Sequence, residues 1–158
     1  MSQAPLLPGS TGVNQQPITV GVMGGGQLGR MFAQAAQAMG YFTAVLDPDA
    51  QSPAGLISHH HIATAYDDPA GLQALCAVAD AITTEFENVP AQALLSLAAQ
   101  RPAAPNGACV AVAQDRVQEK NHFNACASVS GVRPALFAAI ESPEQLAAVP
   151  DALLPGIL

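Results

Sequence analysis

The chain has 158 residues, half of them hydrophobic, with 4% aromatic residues and no Trp. That is about the length of one domain, and with alanine supplying much of the apolar count it favours helices packed closely on a sheet. The net charge is −7 and the five cations (Arg30, Arg101, Arg116, Lys120 and Arg133) are spread along the sequence, which excludes the basic patch that nucleic acid binding requires.

Residues 1–17 are rich in Pro, Gly, Gln and Ser and are predicted to be a loose tail. They lack a basic region followed by an apolar one, so they are not read as a signal peptide. Strand one is predicted over Ile18–Met23 and helix one over Gln27–Met39. In that helix Leu28, Met31, Phe32, Ala35, Ala36 and Met39 recur at helical spacing, and Gly40 follows as a stop. Strand two is Phe42–Leu46, closed by the turn signal Asp47-Pro48-Asp49. A third strand is expected near His61-Ile62-Ala63. A helix opens at Pro69 and runs to about Ala79, strand four spans Ala81–Thr84, and Pro90 opens another helix to about Gln100. Strands alternating with helices imply an α/β fold, a Rossmann-like parallel sheet with helices on both faces.

Beyond Arg101 the texture changes. Pro102, Pro105, Asn106 and Gly107 mark a linker. A helix is expected over Asp115–Ser130, stopped by Gly131, then a short strand over Ala135–Ile140. Ser142 and Pro143 then cap and open one more helix. The domains so drawn are a tail at 1–17, a Rossmann-like domain at 18–105 and a second segment at 106–158. The apolar ending Leu153-Leu154-Pro155-Gly156-Ile157-Leu158 reads as the approach to another strand, so the chain is expected to be a fragment of a longer protein. Three widely spaced cysteines, Cys76, Cys109 and Cys126, include no C-x-x-C. They read as reduced thiols in a cytoplasmic protein. No apolar run approaches the roughly 18 residues that span a bilayer.

Three stretches carry chemistry. Gly24-Gly25-Gly26-Gln27-Leu28-Gly29 follows a strand, opens a helix and satisfies G-x-G-x-x-G. Backbone N–H groups at such a helix start suit a phosphate or another anion. Asp47 falls 18 positions after Gly29, about where a dinucleotide site places its ribose-binding acid. A dinucleotide, another ligand and a purely structural turn all remain open on this motif. In Thr83-Thr84-Glu85-Phe86-Glu87-Asn88-Val89-Pro90, two carboxylates flank a Phe at the carboxyl end of strand four, on the same rim as the glycine loop. An extended reading puts Glu85 and Glu87 on one side and Phe86 on the other. Glu85 is the candidate acceptor for a substrate amine or hydroxyl, whereas Glu87 reads as a helix cap or a solvated acid. In Gln114-Asp115-Arg116-Val117-Gln118-Glu119-Lys120 four of seven residues are charged, with Asp115 and Glu119, and Arg116 and Lys120, one helical turn apart. A solvated helix face is the plainer meaning of that run.

Taken together, Gly-Gly-Gly-Gln-Leu-Gly-Arg-Met, Thr-Glu-Phe-Glu-Asn-Val-Pro, Gln-Asp-Arg-x-x-x-Lys and Leu-Pro-Gly-Ile-Leu resemble the N5-carboxyaminoimidazole ribonucleotide synthetase family of the ATP-grasp superfamily, over about residues 18–158 and in the right order. The resemblance implies a pre-ATP-grasp domain followed by the beginning of an ATP-grasp domain. The whole enzyme would be a carbon–nitrogen ligase of purine biosynthesis, a homodimer that carboxylates 5-aminoimidazole ribonucleotide with bicarbonate and ATP. By carry-over, Gly26, Gln27 and Leu28 in the glycine loop and Glu85 on the rim contact the ribonucleotide, Arg116 contacts ATP, and Asp47 is a structural, turn-forming acid. Family members place their flap and their magnesium ligands later in the chain, so no catalytic residue, no magnesium ligand and no turnover by this stretch alone are expected. His59-His60-His61 departs from the family, and three adjacent histidines point in different directions on any regular element, so no metal site is expected there. Other classes stay in view: an NAD(P)-binding dehydrogenase domain, a related ATP-grasp enzyme such as the formate-dependent glycinamide ribonucleotide transformylase, and a non-catalytic module that only pairs with a partner.

Overall fold

The computed structural model describes residues 5–13, 15–150 and 153. Its regular elements follow in the order β1 (Thr19–Met23), α1 (Gln27–Ala38), β2 (Phe42–Leu46), β3 (His60–Ile62), α2 (Pro69–Val78), β4 (Ala81–Thr84), α3 (Ala91–Ala98), α4 (Gly107–Gln114), α5 (Arg116–Ser130) and α6 (Pro143–Ala147). A single 3-10 turn at Gly55–Ile57 precedes β3. The strands form one parallel sheet in the order β3-β2-β1-β4. Parallel neighbours need crossovers: α1 supplies the one from β1 to β2, the stretch with the 3-10 turn the one from β2 to β3, and α2 carries the chain from β3 to β4 beside β1.

Alternation along the strands sends side chains to two layers. Met23 and Leu46 join Leu75, Ile82, Leu94 and Leu97 in the larger core, against α2 and α3. Their neighbours Val22 and Val45 pack with Ala54 and Phe32 on the α1 side. The α/β fold with helices on both faces is therefore present. Gly21 in β1 allows α2 to come close: a Cβ there would lie 3.0 Å from that of Ala79 and 3.2 Å from Leu75 Cδ1.

The chain divides into two compact units, Met1–Ala111 and Val112–Leu158. The division falls inside α4, a helix that the linker residues conceal in the sequence. Its first half belongs to the first unit, because Val110 is buried in the core and a Cβ on Gly107 would lie 2.8 Å from Leu95 Cγ of α3. In the second unit, α5 has Asp115 as its N-cap, accepting from the amides of Val117 and Gln118 at 3.0 Å each, and Gly131 at φ +71° ends it. Bonds from the Gln118 amide and side chain hold the Asp115 carboxyl below its ordinary value. α6 starts at Ser142 and Pro143 as expected. The expected strand at Ala135–Ile140 is absent; those residues form no regular element. A strand exists through its ladder, and no described segment of this unit pairs with them. The apolar ending at 154–158 lies outside the described residues.

The described part of 5–17 is not a loose tail. The Tyr41 hydroxyl donates to the Leu6 carbonyl at 2.8 Å, and Ile18 N donates to Ser10 O at 2.9 Å. Asp80, 5% exposed, accepts from Val13 N at 2.7 Å through one oxygen and from Thr19 N at 2.8 Å through the other. Composition alone does not show this anchor, because it comes from a carboxylate 67 residues from Val13 and 61 from Thr19 in the sequence. Asp80→Asn keeps the shape but turns an NH2 group toward one of those amides. It is expected to cost about 1–2 kcal/mol, read as a lower urea midpoint with an unchanged slope.

Candidate functional site: the glycine loop and its carboxylates

β1 ends at Met23 and the chain turns at once through glycine. Gly24 has φ +106°, a region that glycine adopts freely, and its amide donates to Leu46 O at 3.0 Å. Gly25 donates to Asp47 Oδ2 at 2.6 Å and accepts at its carbonyl from Ala54 N at 2.8 Å. Gly26 is the N-cap of α1 and has no side chain to cap with, and the first turn of the helix holds no acid. Glu85 supplies both functions from the end of β4. Its Oε1 accepts from Gly26 N at 3.2 Å and its Oε2 from Gly29 N at 2.7 Å, which puts a negative charge at the positive end of the helix. The amides of Gln27 and Leu28 lie between those two bonds and have no acceptor among the described residues.

The strand-end carboxylates thus hold the loop from two sides. Asp47 is 9% exposed; besides Gly25, its Oδ2 accepts from the Tyr66 hydroxyl at 2.7 Å and its Oδ1 from Asp49 N at 2.9 Å. A ribose-binding acid needs acceptors facing a ligand; three of the roughly four acceptor sites of this buried carboxylate are taken by Gly25, Asp49 and Tyr66. The arrangement matches the structural, turn-forming role. Burial first, and then the bond to Asp47, raise the Tyr66 pKa far above its ordinary value, so the phenol stays protonated as a donor. The Tyr66 ring stands edge-on to Phe86, with centroids 5.5 Å apart. Sequence reasoning missed Tyr66, which lies in the irregular stretch before α2 where no periodicity marks it.

The stretch after β4 is not extended. Thr84 Oγ1 donates to Phe86 O at 2.9 Å and bends the chain. Glu85 is half-buried against the loop, Phe86 packs on the core and Glu87 is exposed, so the two glutamates do not share a side. Gln27 and Leu28 are exposed, Leu28 by 61%. The structure thus brings Gly26, Gln27, Leu28 and Glu85 together on one rim. Each oxygen of Glu85 still has a lone pair beyond its loop bond.

Arg116 belongs to the second unit. It is exposed and ion-paired with Glu119 one turn away. The two border a pocket of about 310 Å³ that Lys120, Phe123 and Arg133 also line. Three of the five cations of a chain with net charge −7 therefore meet there.

The histidines diverge. His59 stacks on Phe42 with ring centroids 3.9 Å apart, and its Nδ1 accepts from Thr43 N at 3.1 Å. Burial, with neighbouring His60, holds its pKa below the usual histidine value. His61 Nε2 lies 3.2 Å from the Asp47 carbonyl oxygen. Among the described residues no three His, Cys, Asp or Glu side chains come together to hold a metal, so these residues do not fit a magnesium site. No helix among them is long and apolar enough to cross a membrane.

The chain is similar to proteins already known. The chain is 41% identical over 153 residues to the N5-carboxyaminoimidazole ribonucleotide synthase of Brucella melitensis, covering 97% of this chain and 39% of that protein. The chain thus spans well under half the length of this relative. Among solved structures, N5-carboxyaminoimidazole synthetase from Staphylococcus aureus complexed with ADP has a TM-score of 0.75 at 34% identity, over 86% of this chain and 35% of that one. The Aspergillus clavatus N5-carboxyaminoimidazole synthase in complex with ADP and 5-aminoimidazole ribonucleotide has a TM-score of 0.73 at 30% identity, over 87% of this chain and 36% of that one. The sequence profile of the ribonucleotide synthetase preATP-grasp domain matches residues 18–114, a stretch that holds the whole parallel sheet, the glycine loop and Glu85. This chain belongs to that domain family.

Proposed function

We propose that this chain is part of an ATP-dependent ligase that carboxylates 5-aminoimidazole ribonucleotide with bicarbonate, giving the N5-carbamate, ADP and phosphate in purine biosynthesis. The observation that carries the reading is the rim where Gly26, Gln27 and Leu28 meet Glu85, in a chain 41% identical to a synthase of that name. On this reading ATP phosphorylates bicarbonate, and the carboxyphosphate then carboxylates the substrate amine, directly or through released CO2. The part of this chain is to bind and orient. The free amides of Gln27 and Leu28 receive an anionic or acceptor group of the ribonucleotide, at the positive end of α1. Glu85 accepts from a substrate hydroxyl or amine through its spare lone pairs while it holds the loop. Arg116 exchanges Glu119 for phosphate oxygens of ATP, a ligand better matched to a guanidinium. Magnesium would neutralise phosphate charge in the whole enzyme; the described residues form no site for it. The free cysteines, Cys76, Cys109 and Cys126, fit a reducing cytoplasm.

Calorimetry on the wild-type chain and on Gln27→Ala tests the reading. The chain is expected to bind 5-aminoimidazole ribonucleotide. Gln27→Ala, at an exposed helix start where Ala is favoured, is expected to keep the fold. It keeps the backbone amide but removes the side-chain hydrogen bond that the exposed Gln27 would give the ribonucleotide, and should weaken that binding by up to about tenfold, the worth of one such bond. NAD is expected to give no saturable heat. NAD binding that disappears in Asp47→Ala would restore the dinucleotide reading and reject this one.

A further inference from the structure

The glycine loop is fastened at two places, by Asp47 and by Glu85, and one residue outside the loop touches the first and the chain neighbour of the second. Asp47 Oδ2 accepts from Gly25 N at 2.6 Å and from the Tyr66 hydroxyl at 2.7 Å. The Tyr66 ring meets the edge of Phe86, the residue after Glu85, which holds Gly26 and Gly29. We propose that Tyr66 is a positioning residue: acting through Asp47 and against Phe86, it sets the place of the Gly25–Leu28 backbone that receives the ribonucleotide. The ligand half of this statement rests on the functional reading above; the loop half does not.

The chemistry of the three groups supports it. A carboxylate with three donors from three directions, Gly25 N, Asp49 N and the Tyr66 hydroxyl, has little freedom to rotate about its own axis. Without the hydroxyl, Oδ2 keeps a single donor, and that donor is the loop itself. Asp49 N still holds Oδ1, but on Oδ2 no second donor opposes a shift of the loop amide. The phenol remains a donor through the neutral range, because burial and the Asp47 charge both oppose its ionisation. Only Gly26 separates Gly25 from the two free amides at Gln27 and Leu28, so a shift of the Asp47 bond is passed on to them over a short stretch of backbone. Displacements of about 1 Å at binding groups are large on the scale of ligand affinity.

Tyr66→Phe removes the hydroxyl and keeps the ring against Phe86. In the 158-residue chain without ligand, the expected result is amide hydrogen exchange about tenfold faster at Gly25, faster also at Gly26, and unchanged at Val22 and Val45 in the sheet. With 5-aminoimidazole ribonucleotide, the variant is expected to bind roughly five- to tenfold more weakly while it melts close to wild type. With Asp47→Asn already in place, Tyr66→Phe is expected to add less than twofold to the exchange rate, since the two act through one bond. Wild-type exchange at Gly25 in Tyr66→Phe, equal acceleration across loop and sheet, or full additivity with Asp47→Asn would each overturn the proposal. If the wild-type chain binds no ribonucleotide, the functional reading fails, and the exchange rates alone decide whether Tyr66 positions the loop.

Discussion

Glu85→Ala is expected to lower the stability of the chain by about 3 kcal/mol. The side chain supplies two charged acceptors to α1, at 3.2 Å to Gly26 N and 2.7 Å to Gly29 N, and hydrogen bonds to a charged group are each worth about 1.5 kcal/mol or more. Nothing local replaces it, because the N-cap is Gly26 and the first turn carries no acid. Such a loss is a sizeable part of the stability of an ordinary domain. A melting scan should show a fall of roughly 10 °C. Glu85→Gln, which keeps one acceptor and loses the charge, should lose about half as much. If the functional reading holds, both variants bind the ribonucleotide more weakly than they bind ATP relative to wild type. A variant as stable as wild type would mean that the carboxylate–amide bonds contribute nothing net. A larger loss for ATP than for the ribonucleotide would remove Glu85 from the substrate site.

Local signals account for what the sequence discloses. The strand–helix alternation through α3 follows from punctuation by Gly40, Pro69 and Pro90 and from patterns spanning a few residues. The same is true of Asp115, Gly131, Ser142 and Pro143 around α5 and α6. The glycine loop is legible because every residue it needs for its shape is contiguous. What it is bonded to is not: Asp47 reaches Gly25 from 22 residues away and Glu85 reaches Gly26 from 59. The spacing of Asp47 permits both a ribose acceptor and a loop anchor, and only the carboxylate's direction separates the two. Tyr66 is harder still, since its role exists only once β2, the turn before α2 and the end of β4 lie side by side. α4 is hidden for a different reason. Pro102, Pro105, Asn106 and Gly107 read as a linker, and the helix becomes worthwhile only because Val110 finds the core. At Ala135–Ile140 the opposite happens: the composition suits a strand, but strand propensity is a fit to neighbours, and no described neighbour is there.

Gly29→Ala is expected to be strongly destabilising, although Ala is the best helix former and Gly29 lies in the first turn of a helix. Propensity alone predicts a gain of about 1 kcal/mol. Packing predicts the reverse. A Cβ at this position would overlap the Gly24 carbonyl oxygen and would sit 3.2 Å from the Gly24 carbonyl carbon and 3.5 Å from Ala54 Cβ. Gly24 is backbone, held by its own amide to Leu46 O at 3.0 Å, so the clash cannot be relieved by a rotamer change. Either the start of α1 lifts off the loop, breaking the 2.7 Å bond from Gly29 N to Glu85, or the end of β1 moves. Overpacking in a well-packed site costs up to about 3 kcal/mol, and the broken bond to a charged acceptor adds about 1.5 kcal/mol or more. Together these outweigh the propensity gain, for a net loss of about 3 kcal/mol. Denaturant unfolding measures it, with Ala35→Gly on the exposed face of the same helix as the control expected to cost about 1 kcal/mol. A Gly29→Ala chain at or above wild-type stability would mean that the third glycine is a matter of helix propensity. The close approach of helix to loop, on which the site geometry depends, would then be wrong.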